Sequence, residues 1–242
     1  NPDGDVSTDD AVDIINISLG SRYGNAEDII PQTIDALSQA GITVVVSAGN
    51  DGGFGNIGDI AAAREAITVS ASHDSRQMYF LPETLPAGIE SFSSRGPLKG
   101  ATYLKPEVAA PGESTSTCPT GAEEAGSVYC YRSGTSMSAP HVAGVAALIV
   151  EQFPGYTPAH IKSLIVNNAD DISDTDRAAQ GAGSVNASRA VDSETAFHPA
   201  IVYFGDIQVN ANTWHAERTL TIENLSSETK SVNLIFFYHL EL

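Results

Sequence analysis

The sequence predicts an α/β domain with a mostly parallel sheet covered by helices on both faces, followed by the beginning of an all-β sandwich. Three observations carry that expectation. Val12 to Ser18 and Thr43 to Ser47 are short β-branched runs bounded by polar or glycine residues, as fully buried parallel strands tend to be. Between them, Asp28 to Ala40 places Ile29, Ile30, Ile34 and Leu37 near helical spacing, with Gly41 to stop the helix, so the segment reads as a βαβ unit. After about residue 195 the helical period disappears, and β-rich stretches separated by Asn, Ser and Gly take over.

The remaining elements follow in order. Ala66 to Ala71 and Pro106 to Ala110 read as further strands, the second closed by Pro111 and Gly112. A long apolar helix is expected from about Ser136 to Phe153. A second begins at Thr157, a good N-cap, with Pro158 in the first helical position, and runs through Ile161, Leu164 and Ile165 to Asn168. Strands alternating with helices give the layered α/β architecture. In the tail, Ile201 to Phe204, Leu220 to Glu223 and Val232 to Tyr238 are the strand candidates, and the 47 residues after residue 195 are about half of the roughly 100 that an immunoglobulin-type sandwich needs. The expected division is therefore 1–195 and 196–242. The chain opens on Asn1 and closes on an apolar run, Leu234 to Leu242, so both ends read as cut.

Composition excludes several classes. A chain of 242 residues with 42% hydrophobic content can fill a core. Thirty Asp and Glu against twelve Lys and Arg leave a net charge of −18, which repels nucleic acid phosphates, so no nucleic acid partner is expected. Charged residues make up only 17%, so the acidity reflects scarce Lys and Arg, read as a solvated acidic surface or an adaptation to saline surroundings. No apolar run reaches the roughly 18 residues of a membrane span, and no N-terminal secretion signal is present.

The chemistry concentrates at Gly134-Thr135-Ser136-Met137-Ser138-Ala139-Pro140-His141-Val142-Ala143-Gly144. Ser136 at a helix start faces the positive end of the dipole and N–H groups without helical partners, a place where an oxyanion is stabilised. Pro140 has no N–H to close the bond to the Ser136 carbonyl, which loosens the first turn. An ordinary N-cap serine is the plainer reading. Asn50 follows a buried strand in Ser47-Ala48-Gly49-Asn50-Asp51-Gly52, at the carboxyl end of a parallel sheet where binding crevices form; a simple turn is the alternative. The Gly-x-Ser-x-Gly elbow of α/β-hydrolases is absent because position 138 is Ser, and Ser227-Glu228-Thr229-Lys230 is an isolated match to Ser-x-x-Lys without its companion motifs.

Taken together, these segments resemble the subtilisin-like serine proteases (subtilases). Gly134 to Gly144 resembles the nucleophile signature, with Ser138-Ala139 where many members carry Ala-Ser. Ser47 to Asn50 resembles the oxyanion segment, and Asn16-Ile17-Ser18-Leu19-Gly20 the strand that pairs with substrate. Phe92 to Pro97, Leu104 to Gly112 and Gly181 to Asn186 are also family-like, and the resemblance spans roughly residues 10–192.

The resemblance implies a subtilisin-like sheet and peptide-bond hydrolysis through an acyl-enzyme on Ser136. It makes Asn50 and the Ser136 N–H the oxyanion hole, with Ser18, Leu19, Gly20, Ala48, Gly49 and Thr135 lining a cleft for extended peptide. It also implies a secreted protein, no required cofactor, and a fibronectin-like identity for the partial tail sandwich. The departure is equally clear. Subtilases order their triad Asp, His, Ser, with the His before Gly, yet none of His73, His141, His160, His198, His215 and His239 precedes Gly. His141 reads as structural. A serine without a base is a weak nucleophile, so this chain alone is expected to be inactive, with the triad Asp and His upstream of residue 1. A non-catalytic peptide- or surface-binding module derived from a subtilase is the alternative.

Two secondary sites remain. Cys118 and Cys130 are the only cysteines; the extracellular habit of the family implies a disulfide, and free thiols are the alternative. Asp3, Asp5 and Asp9, with neighbouring oxygen donors, have the alternate spacing of a calcium loop, or form a solvated acidic turn. The loop from Gly52 to Ile60 is expected to help shape the pocket for the residue preceding the scissile bond.

Overall fold

The computed structural model describes residues 11–73, 87–119, 121, 127–205 and 215–232. Strand β1 (Ile14–Ile17) pairs in parallel with β2 (Thr43–Ser47), and β2 in parallel with β3 (Ile67–His73). The far side of β3 takes β5 (Val108–Pro111), also parallel, while the two-residue β4 (Gly88–Ile89) runs antiparallel beside the end of β3. The α/β class with a mostly parallel sheet is thus as the sequence predicts.

Alternation along β2 shows why the sheet is covered twice. Val45 faces one core with Ile67, Val69 and Val108, closed by α2 (Thr135–Gln152), α3 (Pro158–Asn167) and α5 (Ala187–Asp192). Val44 and Val46 face the other, closed by α1 (Ile29–Gln39) through Ile34 and by the short turn Ile60–Ala62. Each valine so buried contributes about 1.5–3 kcal/mol. On α2 the sheet-facing residues are Ala139, Val142, Val145, Ala146 and Ile149, a three-and-four spacing whose alanines let the helix approach closely. Thr157 caps α3 as its sequence suggests, its Oγ1 accepting the His160 N–H at 3.3 Å.

A β6 (Glu113–Thr117) and β7 (Tyr129–Ser133) hairpin leads into α2, and a disulfide joins Cys118 to Cys130 across it with Cα atoms 5.1 Å apart. A short helix α4 (Arg177–Gln180) precedes α5. The tail holds an antiparallel ribbon, β8 (Thr195–His198) with β9 (Thr221–Asn224). This ribbon lies on α3, where the Phe197 N–H donates to Ser163 Oγ at 2.6 Å. The strand expected at Ile201 to Phe204 is irregular instead. Pro199 supplies no N–H to a ladder, and Ile201 to Tyr203 line a surface cavity instead. The strand expected at Val232 to Tyr238 falls almost wholly outside the described residues, as do Asp3, Asp5 and Asp9.

A buried ionic cluster ties β3 to β5 and α3. Lys105 is fully buried, its Nζ donating to Glu107 Oε1 at 2.6 Å and to the Ala66 carbonyl at 2.9 Å. Lys162 Nζ reaches the same Glu107 oxygen at 2.6 Å, and Glu107 Oε2 accepts the Thr68 N–H at 2.8 Å. Burial pushes the Lys105 ammonium down to about 7, against the pull of Glu107.

Three outcomes follow from this framework. Glu107→Gln leaves two lysines facing each other without the negative charge they share and should cost about 3–5 kcal/mol in urea unfolding, whereas Lys105→Met, which keeps the Glu107 to Lys162 pair, should cost far less. The unfolded chain holds the Lys105 proton up to about its ordinary 10.5 and the folded chain releases it from about 7. Across that window the unfolded state binds more protons, so this residue's contribution to stability rises with pH. Lys105→Met should lose that rise in unfolding measured from pH 7 to 10. Finally, two thiols should become alkylatable only after reduction, with a loss of about 3 kcal/mol from reopening the loop.

Candidate active site

The site forms where the sheet opens. The β1–β2 register ends at Ile17 opposite Val46, and beyond it the two strands no longer pair, leaving a crevice at their carboxyl ends. The start of α2 fills this opening. Gly134, its N-cap, sits at φ 144°, a conformation that favours glycine, and an added Cβ would stand 3.4 Å from Asn50 Nδ2. Glycine here lets the helix start abut the end of β2.

Asn50 is oriented by Thr135. Its Oδ1 accepts both the Thr135 N–H and the Thr135 hydroxyl, each at 2.9 Å. Two donors on one atom identify it as the oxygen, so the Nδ2 branch keeps its N–H groups for other acceptors. Thr135 is itself buried, and its Oγ1 accepts the Gly49 N–H at 3.3 Å. The pair thereby locks the end of β2 to the first turn of α2.

Ser136 is held from the other side by Ser18. The Ser136 hydroxyl donates to the Ser18 carbonyl at 3.2 Å, and the Ser18 hydroxyl donates to the Ser136 carbonyl at 2.9 Å. That carbonyl is open because Pro140, four residues on, has no N–H to offer it. Asn16 Nδ2 donates to Ser18 Oγ at 3.0 Å and so directs the Ser18 proton toward Ser136. Asn16, which the sequence marks only as part of the strand expected to pair with substrate, is thus also a support for Ser18, a side-chain role that the motif alone does not signal.

Two cavities meet at Ser136. One, of about 330 Å³, is lined by Leu19, Gly20, Gly49, Asn50, Thr135 and Ser136. Most of the residues expected at the cleft are therefore brought together, whereas Ala48 is buried beneath it and the Ser18 hydroxyl donates to the first turn of α2. Arg22 also lines this cavity and pairs with Asp51 at 2.5 Å. Asp59, in the loop expected to shape the pocket, accepts the Ser21 N–H at 2.7 Å and hydroxyl at 2.8 Å and the Ile60 N–H at 2.8 Å. Burial works against its charge, but these bonds outweigh it and hold the carboxyl below its ordinary value. The second cavity, of about 370 Å³, lies against the disulfide-tied hairpin and includes Ser114, Arg132, Ser136, Met137 and His141.

Among the described residues, the Ser136 hydroxyl bonds a carbonyl and no imidazole. His141 Nδ1 lies 2.7 Å from the Met137 carbonyl, which assigns its proton to that nitrogen. His73, the one histidine before Ser136 in the sequence, sits at the end of β3, 3.4 Å from Glu90. Among the described residues, no helix is long and apolar enough to cross a membrane.

This arrangement has clear relatives. Serine protease AprX of Bacillus subtilis is 36% identical over 197 residues, covering 76% of this chain and 43% of that protein. Minor extracellular protease Vpr of the same species is 35% identical over 158 residues, or 62% of this chain and 20% of Vpr. The present chain thus spans less than half of either. Among solved structures, a protease from Pseudoalteromonas arctica superposes with a TM-score of 0.58 at 28% identity, covering 78% of this chain and 53% of that one. The Subtilase family model (Peptidase_S8) matches residues 4–219, taking in the whole main sheet and both sides of the β2–α2 junction: this chain belongs to the subtilase family.

Proposed function

We propose that this chain is the serine-bearing part of a secreted serine endopeptidase acting on extended protein or peptide substrates. In this reading Ser136 Oγ attacks the scissile carbonyl and forms an acyl-enzyme, which water then hydrolyses. Asn50 Nδ2 and the Ser136 N–H bind the oxyanion. The observation that carries the reading is the doubly bonded Asn50 Oδ1, which presents an oriented amide donor beside a serine at a helix N-terminus. Leu19, Gly20 and Gly49 then flank substrate on one side of Ser136, and the hairpin cavity receives the other side.

The proton acceptor is assigned to residues outside the chain. The family order of Asp, His and Ser puts both partners ahead of the serine, and His73 is engaged elsewhere. We place the triad Asp and His upstream of residue 1, which leaves the 242-residue chain inactive alone. That Ser136 has no imidazole partner among the described residues also favours a second reading, a peptide-binding module that docks extended chains without cutting them. Secretion is supported by the extracellular relative Vpr. The β8–β9 ribbon is read as the start of a fibronectin-like sandwich over 196–242, following a peptidase domain over 1–195.

Peptidase assays on casein separate these readings. A longer chain carrying a complete subtilase domain should hydrolyse it, Ser136→Ala should abolish the activity, and the 242-residue chain should show none. Asn50→Ala should lower kcat by about 10²–10³, the cost known for the equivalent change in subtilisin itself. Full activity in Ser136→Ala contradicts the assignment of the nucleophile. An inert complete domain that still binds peptide selects the binding module.

A further inference from the structure

On the opposite side of α3 from the sheet core, three potential metal ligands converge where no catalytic role is needed. His160 comes from the first turn of α3, His198 from the end of β8 and Glu223 from β9. One ligand atom from each lies within 4.8 Å of the others. His160 Nε2 is 3.0 Å and His198 Nε2 is 3.5 Å from the same Glu223 oxygen, Oε2. Metal–ligand bonds of zinc length place neighbouring donors of a tetrahedron about 3.3–3.6 Å apart. The His198 separation matches that edge and the His160 separation falls just short of it, while the two rings' donor atoms lie within 4.8 Å of each other, so the three donors already face a common point and close around an ion by a small adjustment.

We propose that His160, His198 and Glu223 form a binding site for a divalent ion of the zinc class, fastening the β8–β9 ribbon to α3. Imidazole and carboxylate donors in a three-ligand set suit zinc, with solvent as the fourth ligand. Solvent can reach it, because the Glu223 side chain is 46% exposed while the two rings are 17% and 28% exposed. The rings are positioned by packing: His160 sits edge-on to Tyr156 with centroids 5.5 Å apart, and His198 lies 5.5 Å from His160.

The metal-free arrangement also indicates what binding displaces. His160 Nδ1 accepts the Thr157 N–H at 3.2 Å, so without metal the ring proton resides on Nε2, facing Glu223. Coordination through Nε2 needs the Nδ1–H tautomer, so the ring proton moves from Nε2 to Nδ1 with none released, and that long contact is given up. The other half of the cap, from the His160 N–H to Thr157 Oγ1 at 3.3 Å, is unaffected. Affinity should therefore be weaker than that of a closed four-ligand structural zinc site.

Cobalt(II) is the direct probe, added alone to the 242-residue chain, with zinc used for competition and for thermal melts. A stoichiometric ion with the intense visible bands of tetrahedral coordination, displaced by zinc, and a zinc-dependent rise in Tm are expected. Glu223→Gln, which preserves shape, and His198→Ala should each weaken binding at least tenfold and remove the Tm shift. Absence of saturable binding, a weak octahedral spectrum as from scattered carboxylates, or affinity unchanged in both variants overturns the proposal.

Discussion

The reciprocal hydrogen bonds between Ser18 and Ser136 are the interaction on which the site depends. Each serine's hydroxyl donates to the other's carbonyl, joining the end of β1 to the first turn of α2. This is possible because Pro140 leaves the Ser136 carbonyl without a helical donor. It is accurate because the sheet beneath is held by buried side chains on both faces, so strand ends and helix start cannot drift apart. Thr135 then repeats the device on the β2 side, fixing Asn50 by its oxygen. Ser136 and the Asn50 amide are thus placed by backbone-anchored contacts rather than by a side-chain relay.

In the function proposed above, that arrangement serves one half of the catalytic task. Oxyanion stabilisation needs oriented dipoles that do not reorganise during reaction, and strand and helix termini supply them. Proton transfer needs an imidazole in contact with the hydroxyl, and here the hydroxyl rests on a carbonyl instead. The two functions are separable because they come from different parts of the fold.

How much of this was legible in the sequence varied with the range of the interaction. Thr43 to Ser47 appears as a strand with those same bounds, and Ile29–Gln39 and Pro158–Asn167 lie within a residue of the expected helices. Local period and capping determine such elements. Ser136, Asn50 and Thr135 were visible because their motifs are short and contiguous. The role of the Ser18 side chain was not, since its partner lies 118 positions away. The Lys105, Glu107 and Lys162 cluster and the His160, His198 and Glu223 group were equally hidden, as each joins three elements. Ile201 to Phe204 reads as a strand because it is a continuous run of β-branched and aromatic residues, a local signal that does not register Pro199 two positions ahead or the surface cavity the segment lines.

The central claim is that Ser136 is a positioned but unactivated nucleophile in this chain. Labelling by a fluorophosphonate, read by intact mass and peptide mapping on folded protein, tests it most directly. The account predicts no appreciable modification of the 242-residue chain and stoichiometric modification of Ser136 once a complete subtilase domain supplies the base. Stoichiometric labelling of Ser136 in the 242-residue chain alone would contradict it.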